Sequence, residues 1–176
     1  GSFEKYREAK RSLARALARS GKKKKYMVAN IDDAEGRVFL RIAGRGDAEK
    51  HPYSISDAEP YELREDGVTF TFGGEMFSSS LRGVFNIRNL LAAAVFARSQ
   101  GIPIGTIKKA LAAFKGVAGR MEKIKLPRES LARTVQNFGV YVDYAHTPDA
   151  LQNVYSVFSK SRKICVLGAT GGGRDR

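Results

Sequence analysis

Val140–Leu151, VYVDYAHTPDAL, is the stretch whose reading decides the fold. Its first residues are β-branched or aromatic and read as a strand, which ends on Asp143. A histidine and a threonine occupy the turn. Pro148 follows, at a position where the first residue of a helix tolerates a missing N–H. The flanking pattern predicts a strand over Thr134–Val142, a helix over Thr147–Phe158 and another strand over Lys163–Leu167, followed by the Gly-rich loop Ala169–Arg176. Strand, helix, strand is the opening βαβ unit of a parallel α/β sheet. Open sheets of that kind hold nucleotides or phosphorylated ligands beyond their strand ends. Two strands and one helix cannot cover both faces of a sheet, so this unit is expected to be incomplete.

Upstream, Pro127–Arg133 reads as a linker, and Gly116–Lys125 as a Gly-punctuated link carrying Arg120, Met121 and Glu122. Before it, Ile104–Phe114 and Asn86–Gln100 read as helices; Leu90, Leu91, Ala94, Val95 and Ala97 form the apolar side of the latter. The region between residues 26 and 81 is expected to be strand-rich. Strands are predicted at Tyr26–Asn30, Arg37–Ile42, Tyr53–Ile55 and Tyr61–Arg64. Val68–Phe72 should form a hairpin with Glu75–Leu81 across the Gly73–Gly74 turn. Ile31–Gly36 reads as a polar turn and His51 as a loop residue without function, while Phe3–Ser20 reads as a helix closed by Gly21. The fold class is therefore α/β, with residues 1–130 and 131–176 expected to belong to two domains.

Composition narrows the function. Hydrophobic residues make up 43% of the 176, which excludes a disordered chain. The net charge is +13, and residues 3–25 hold ten Lys or Arg against two Glu. Such an arm could attract a polyanion, but no zinc-finger pattern, KH-type loop or arginine-rich tail accompanies it. A solvated helix face beside a nucleotide ligand is the better account, and no nucleic-acid partner is expected. The apolar runs are too short for stable membrane insertion. The single cysteine, Cys165, lies in the run ICVL, excludes a disulfide framework, reads as core filler and suits a reducing compartment.

Several polar residues have two readings. Asn86 and Asn89 at the start of their helix suit N-capping, but two amides one turn apart can also meet the donor and acceptor of an adenine edge. Arg120 is either a solvated linker side chain or a bidentate fork for phosphate oxygens. Asp143 either anchors the turn before Pro148 or accepts from ribose hydroxyls, and Tyr144 either covers the sheet edge or packs on a ligand. His146 can donate to phosphate; without neighbouring ligand-type residues it is not read as a metal ligand. Glu122 reads as structural, and Thr147 and Asp149 as helix caps.

The order GVFNIRNLLAAAVFARSQGI, GRME, YVDYAHTPDAL and VLGATGGGRDR, together with the helix YREAKRSL, resembles the Mur ligase family over the whole chain. Within it, the likeness is to members that add meso-diaminopimelate or L-lysine to UDP-MurNAc-L-Ala-D-Glu during peptidoglycan synthesis. The resemblance implies the later part of the central ATPase domain followed by the start of the C-terminal nucleotide-fold domain. It implies ATP and Mg2+ as cofactors, with the magnesium ligands, the Gly-Lys-Thr phosphate loop and the carbamylated lysine lying upstream of residue 1. It implies adenine contacts from Asn89 and Asn86, phosphate contacts from Arg120 as the catalytic arginine, ribose contacts from Asp143, and Tyr144 and His146 beside the nucleotide. Arg174 and Asp175 would belong to an anion-binding loop. That loop departs from the family's usual Gly-Cys-Gly-Gly-Asp-Arg-Asp, because Ala169 and Gly173 replace the Cys and one Asp. The implied protein is a cytoplasmic monomer, and residues 1–176 alone would be inactive. Cyanophycin synthetase and folylpolyglutamate synthase share the mechanism and are the alternatives, along with a non-catalytic basic binding module.

Overall fold

The computed structural model describes residues 2–124 and 138–168. Helix α1, Phe3–Arg19, starts where the Ser2 hydroxyl accepts from the Lys5 N–H, and Ala14 is its buried residue. Strand β1, Tyr26–Asn30, runs parallel to β2, Glu49–Tyr53, with Tyr26 opposite Glu49 and Asn30 opposite Tyr53. Parallel neighbours require a crossover, and α2, Ala34–Gly44, supplies it. The predicted strand at Arg37–Ile42 is therefore a helix. The Asp33 carboxylate caps it by accepting from Glu35 N–H, and Leu40 and Ala43 lie buried three residues apart. They join Ala14, Met27 and Ala48 in one small core. Residues 31–33 remain a turn, but His51 sits on β2, opposite Val28, and not in a loop.

After a 3-10 turn at Ile55–Ala58, strands β3, Tyr61–Arg64, β4, Gly67–Phe72, and β5, Glu75–Ser79, form an antiparallel sheet in that order. Gly73 and Gly74 both take positive φ, 59° and 81°, as a two-residue hairpin turn requires. Val68, Phe70 and Phe72 alternate inward from β4 and meet Phe77 of β5. Over this sheet lie α3, Val84–Ser99, and α4, Ile104–Ala113, which contribute Ile87, Leu90, Leu91, Ala94 and Ile107 to the larger core. The mixed α/β architecture read from the sequence is thus present, with one parallel pair and several antiparallel pairs among the described residues.

Strand β6, Glu122–Ile124, pairs antiparallel with β7, Val140–Val142. Helix α5, Pro148–Val157, follows, with Thr147 as its cap accepting from Ala150 N–H and Pro148 in its first turn. The strand expected at Lys163–Leu167 is not formed: residues 162–168 make no ladder, and Ile164 and Val166 are 89% and 93% exposed. An extended segment needs an edge to take its N–H and C=O groups, and no strand among the described residues pairs with it. Cys165 is consequently exposed and not core filler; its sulfur accepts from the Tyr155 hydroxyl at 3.0 Å.

Candidate functional site

The site is assembled where the link before β6 meets the end of β7. Asp143 joins them. One carboxylate oxygen accepts from Met121 N–H at 2.8 Å and the other from Ala145 N–H at 2.7 Å. A carboxylate accepts through two oxygens with lone pairs to spare, so this residue fixes two backbone segments 22 residues apart. Met121 is bent into a positive φ of 48°, which turns the chain directly after Arg120. Glu122 supports the same turn by accepting from Gly119 N–H at 2.8 Å, the structural role read for it.

Arg120 emerges from this turn with its guanidinium 4.7 Å from the centre of the Tyr144 ring. Tyr144 in turn lies edge-on to His146, with ring centres 4.9 Å apart, and its carbonyl accepts from His146 Nδ1 at 2.8 Å. Arg120, Tyr144 and His146 all stay exposed to solvent. The guanidinium lies over the ring, and its N–H groups form a fork that suits an incoming anion.

The two asparagines lie on α3, and the structure separates their tasks. The cap position belongs to Gly83, with φ of 87°, and not to Asn86. Asn86 is buried inside the first turn; its Nδ2 donates to Arg82 carbonyl oxygen at 2.8 Å and its Oδ1 accepts from Asn89 Nδ2 at 3.3 Å. Its amide thus engages Arg82, just before the Gly83 cap, and Asn89 on the next turn. Asn89 is exposed and keeps its Oδ1 and a second N–H for another partner.

Two residues not singled out in the sequence connect these parts. Arg82 Nη1 donates to the Tyr141 hydroxyl at 2.7 Å, and its guanidinium lies 5.3 Å from the centre of that ring. Tyr141 also packs on Phe158, with ring centres 4.8 Å apart. Tyr141 stands two residues before Asp143, with Val142 between them, so the start of α3 and the Asp143 loop meet through this contact. Asp32 was missed too. It accepts from the Ser54 hydroxyl and from Ile55 N–H and faces Arg88, which lies between the two asparagines, at 3.7 Å. The Ser54 hydrogen bond, helped by Ile55 N–H and by Arg88, holds its carboxyl below the usual value against partial desolvation. No short-range pattern marks either group; both arise from elements that meet only in the fold.

Arg174 and Asp175 lie outside the described residues. Among the described residues no group of three or more His, Cys, Asp or Glu could hold a metal ion, and no helix is long and apolar enough to cross a membrane. Surface depressions at Glu59–Tyr61 and between Arg64 and Ser80 open to solvent on the β3–β5 sheet. They contain none of the residues above, so the chemistry and not the concavity marks the site.

The Mur ligase middle domain matches residues 1–97. The chain is 36% identical over 187 aligned residues to the UDP-N-acetylmuramoyl-L-alanyl-D-glutamate–2,6-diaminopimelate ligase of Syntrophomonas wolfei, covering 99% of this chain and 35% of that protein. It is 38% identical to the protein of the same name from Prochlorococcus marinus, again over 99% of the chain and 36% of the relative. The chain thus spans about a third of the length of these relatives. The fold is similar to that of MurF from Acinetobacter baumannii, with a TM-score of 0.74 at 18% identity over 92% of this chain and 34% of that one. It is also similar to a pseudomurein peptide ligase type C from Methanothermus fervidus, with a TM-score of 0.60 at 18% identity over 89% of this chain and 37% of that one.

Proposed function

The chain belongs to the Mur ligase family, and on that premise we propose that it forms part of the nucleotide-facing surface of an ATP- and magnesium-dependent carbon–nitrogen ligase. The longer protein would join a diamino acid to the glutamate carboxylate of UDP-MurNAc-L-Ala-D-Glu in cytoplasmic peptidoglycan synthesis, acting as a monomer. The names of the relatives favour 2,6-diaminopimelate over L-lysine as the diamino acid. When bound, ATP supplies the phosphoryl group that activates the carboxylate as an acyl phosphate, from which the amine displaces inorganic phosphate.

The residues fit such a ligand. Arg120 presents guanidinium N–H groups from a turn held on both sides, suited to charge developing on a transferred phosphoryl group. Asn89 offers one donor and one acceptor for an adenine edge, while Asn86 holds the turn from which Asn89 projects. Asp143 keeps lone pairs for ribose hydroxyls beside its two backbone bonds. His146 and Tyr144 border the same surface. The magnesium ligands would lie upstream of this chain, and Arg174 and Asp175 remain candidates for an anion loop. The observation that carries this reading is the joining of Arg120 to the Asp143–His146 loop by the Asp143 bonds and by the guanidinium lying over the Tyr144 ring.

Its test is Arg120→Ala in the full-length protein that carries this chain. Turnover should fall about 100- to 1,000-fold, the scale for losing one group that meets transition-state charge, while the KM for ATP changes far less. Steady-state phosphate release with the dipeptide substrate and diaminopimelate measures both, and unchanged turnover would sink the assignment.

A further inference from the structure

Arg82 touches both sides of the site. Its carbonyl oxygen is held by the buried Asn86 amide at 2.8 Å, and its guanidinium is bonded to the Tyr141 hydroxyl at 2.7 Å while lying over the same ring. Asn86 is bonded onward to Asn89 at 3.3 Å. Tyr141 stands on β7, two residues before Asp143, and its ring is wedged against Phe158 just after α5. The Gly83 cap is equally confined: an added Cβ would come within 2.8 Å of both Phe85 Cε1 and Val157 Cγ2. The start of α3 is thus packed on β7 and α5, with a charge-assisted hydrogen bond at its centre.

We propose that Arg82 and Tyr141 are a positioning pair that sets the start of α3, and with it Asn89, in register with the Asp143–His146 loop. The pair touches no reacting atom. It fixes the span between the group assigned to the adenine edge and the groups assigned to ribose and phosphate. That function rests on the ligase reading above; the coupling of the two segments rests on geometry alone. A nucleotide bridging both sides binds well only if their spacing is set beforehand, since otherwise binding must supply the ordering. Loss of the pair should therefore weaken nucleotide binding more than it slows the chemistry that follows.

Tyr141→Phe removes only the hydroxyl and keeps the ring against Phe158; Arg82→Met keeps the stem and removes the charge. In the full-length ligase each should raise the KM for ATP about five- to twenty-fold with less than a twofold change in kcat. The double variant should be no worse than the weaker single, because both remove one interaction. Arg82→Lys, which restores a donor without the planar fork, should recover part of the loss. An unchanged KM for ATP, or single effects that multiply in the double variant, would overturn the proposal.

A second measurement needs no activity. In the chain itself, Tyr141→Phe should speed amide hydrogen exchange at Asn86 and Ile87, whose N–H groups bond the Gly83 carbonyl, while leaving exchange around Phe70 and Phe77 unchanged. Unaltered exchange at both sites would overturn the coupling. A wild-type full-length protein without ATP-dependent ligation would instead overturn the ligase reading, and the exchange result would still decide the pair.

Discussion

Asp143 shows how one side chain can serve structure and ligand together. Both of its oxygens are committed to backbone N–H groups, at Met121 and Ala145. The turn-anchoring alternative is therefore present in the molecule, and contact with ribose would be additional to it. Removing the carboxylate leaves two N–H donors without their partners. Asp143→Ala is expected to cost about 1–3 kcal/mol in urea denaturation of the chain, and Asp143→Asn less, because its carbonyl still accepts one bond. Equal stability of wild type and Asp143→Ala would show that water replaces both bonds at no cost. Thr147 was readable from its position before Pro148 and does cap α5. Asn86 is buried and donates to the Arg82 carbonyl, an environment that sequence spacing cannot reveal.

At the scale of elements, the main difference between expectation and structure is α2. Val38, Phe39, Leu40 and Ile42, broken only by Arg41, support a strand as well as a helix, since short apolar stretches are ambiguous by period alone. The cap at Asp33 and the parallel pairing of β1 with β2 decide it. The helix starts so close to β1 that a Cβ on Gly36 would lie 1.7 Å from the Asn30 carbonyl oxygen. Gly36→Ala should therefore destabilise the chain by about 1–3 kcal/mol. Gly21→Ala, with nothing within 4 Å of the new methyl, should stay within about 0.5 kcal/mol by the same denaturation. Equal effects at the two positions would contradict the packing.

Helix α1 is tied to α2 by Arg11, which donates to both oxygens of Glu35 at 2.7 and 2.6 Å, and Arg11 and Arg15 also donate to Glu8. Arg15 and then Arg11 lower the Glu8 carboxyl, and Arg11 lowers Glu35. A depressed folded value contributes stability above the unfolded value, lost as pH falls through the folded one. Thermal melting should weaken as pH drops below the ordinary carboxylate range, and Glu35→Gln should reduce that slope. Glu8 is exposed and Glu35 only half-buried, so solvent screening keeps the change small; an identical slope in the variant would remove the pair from the account. Arg7, Arg11 and Arg15, three of the ten basic residues in the 3–25 arm, are thus paired with carboxylates: Arg7 and Arg11 reach Glu35 of α2, and Arg15 is held by Glu8 within α1.

For the whole molecule, the two cores are joined through α3, which contacts β1 and β2 on one side and packs over β4 on the other. The candidate site lies at one end of that helix. Residues 1–176 contain no Gly-x-x-x-x-Gly-Lys-Ser/Thr loop to cradle β- and γ-phosphates. Calorimetric titration of the chain with ATP and magnesium should accordingly show very weak binding or none. A micromolar affinity would mean that the Arg120–Asp143 surface holds the nucleotide unaided.

The sequence by itself determined the α/β class, the β4–β5 hairpin, α1, α3, α4 and α5, and the residues from Arg120 to His146 worth inspecting. These follow from short-range rules of period, caps and turn glycines, which act within a few residues. Only the tertiary structure decided that Arg37–Ile42 is a crossover helix and that Lys163–Leu167 stays unpaired among the described residues. It alone showed Asn86 turned inward and Arg82 on Tyr141, 59 residues away. Those outcomes depend on which surfaces meet, and burial, strand pairing and long-range hydrogen bonds are settled only when distant segments compete for the same partners.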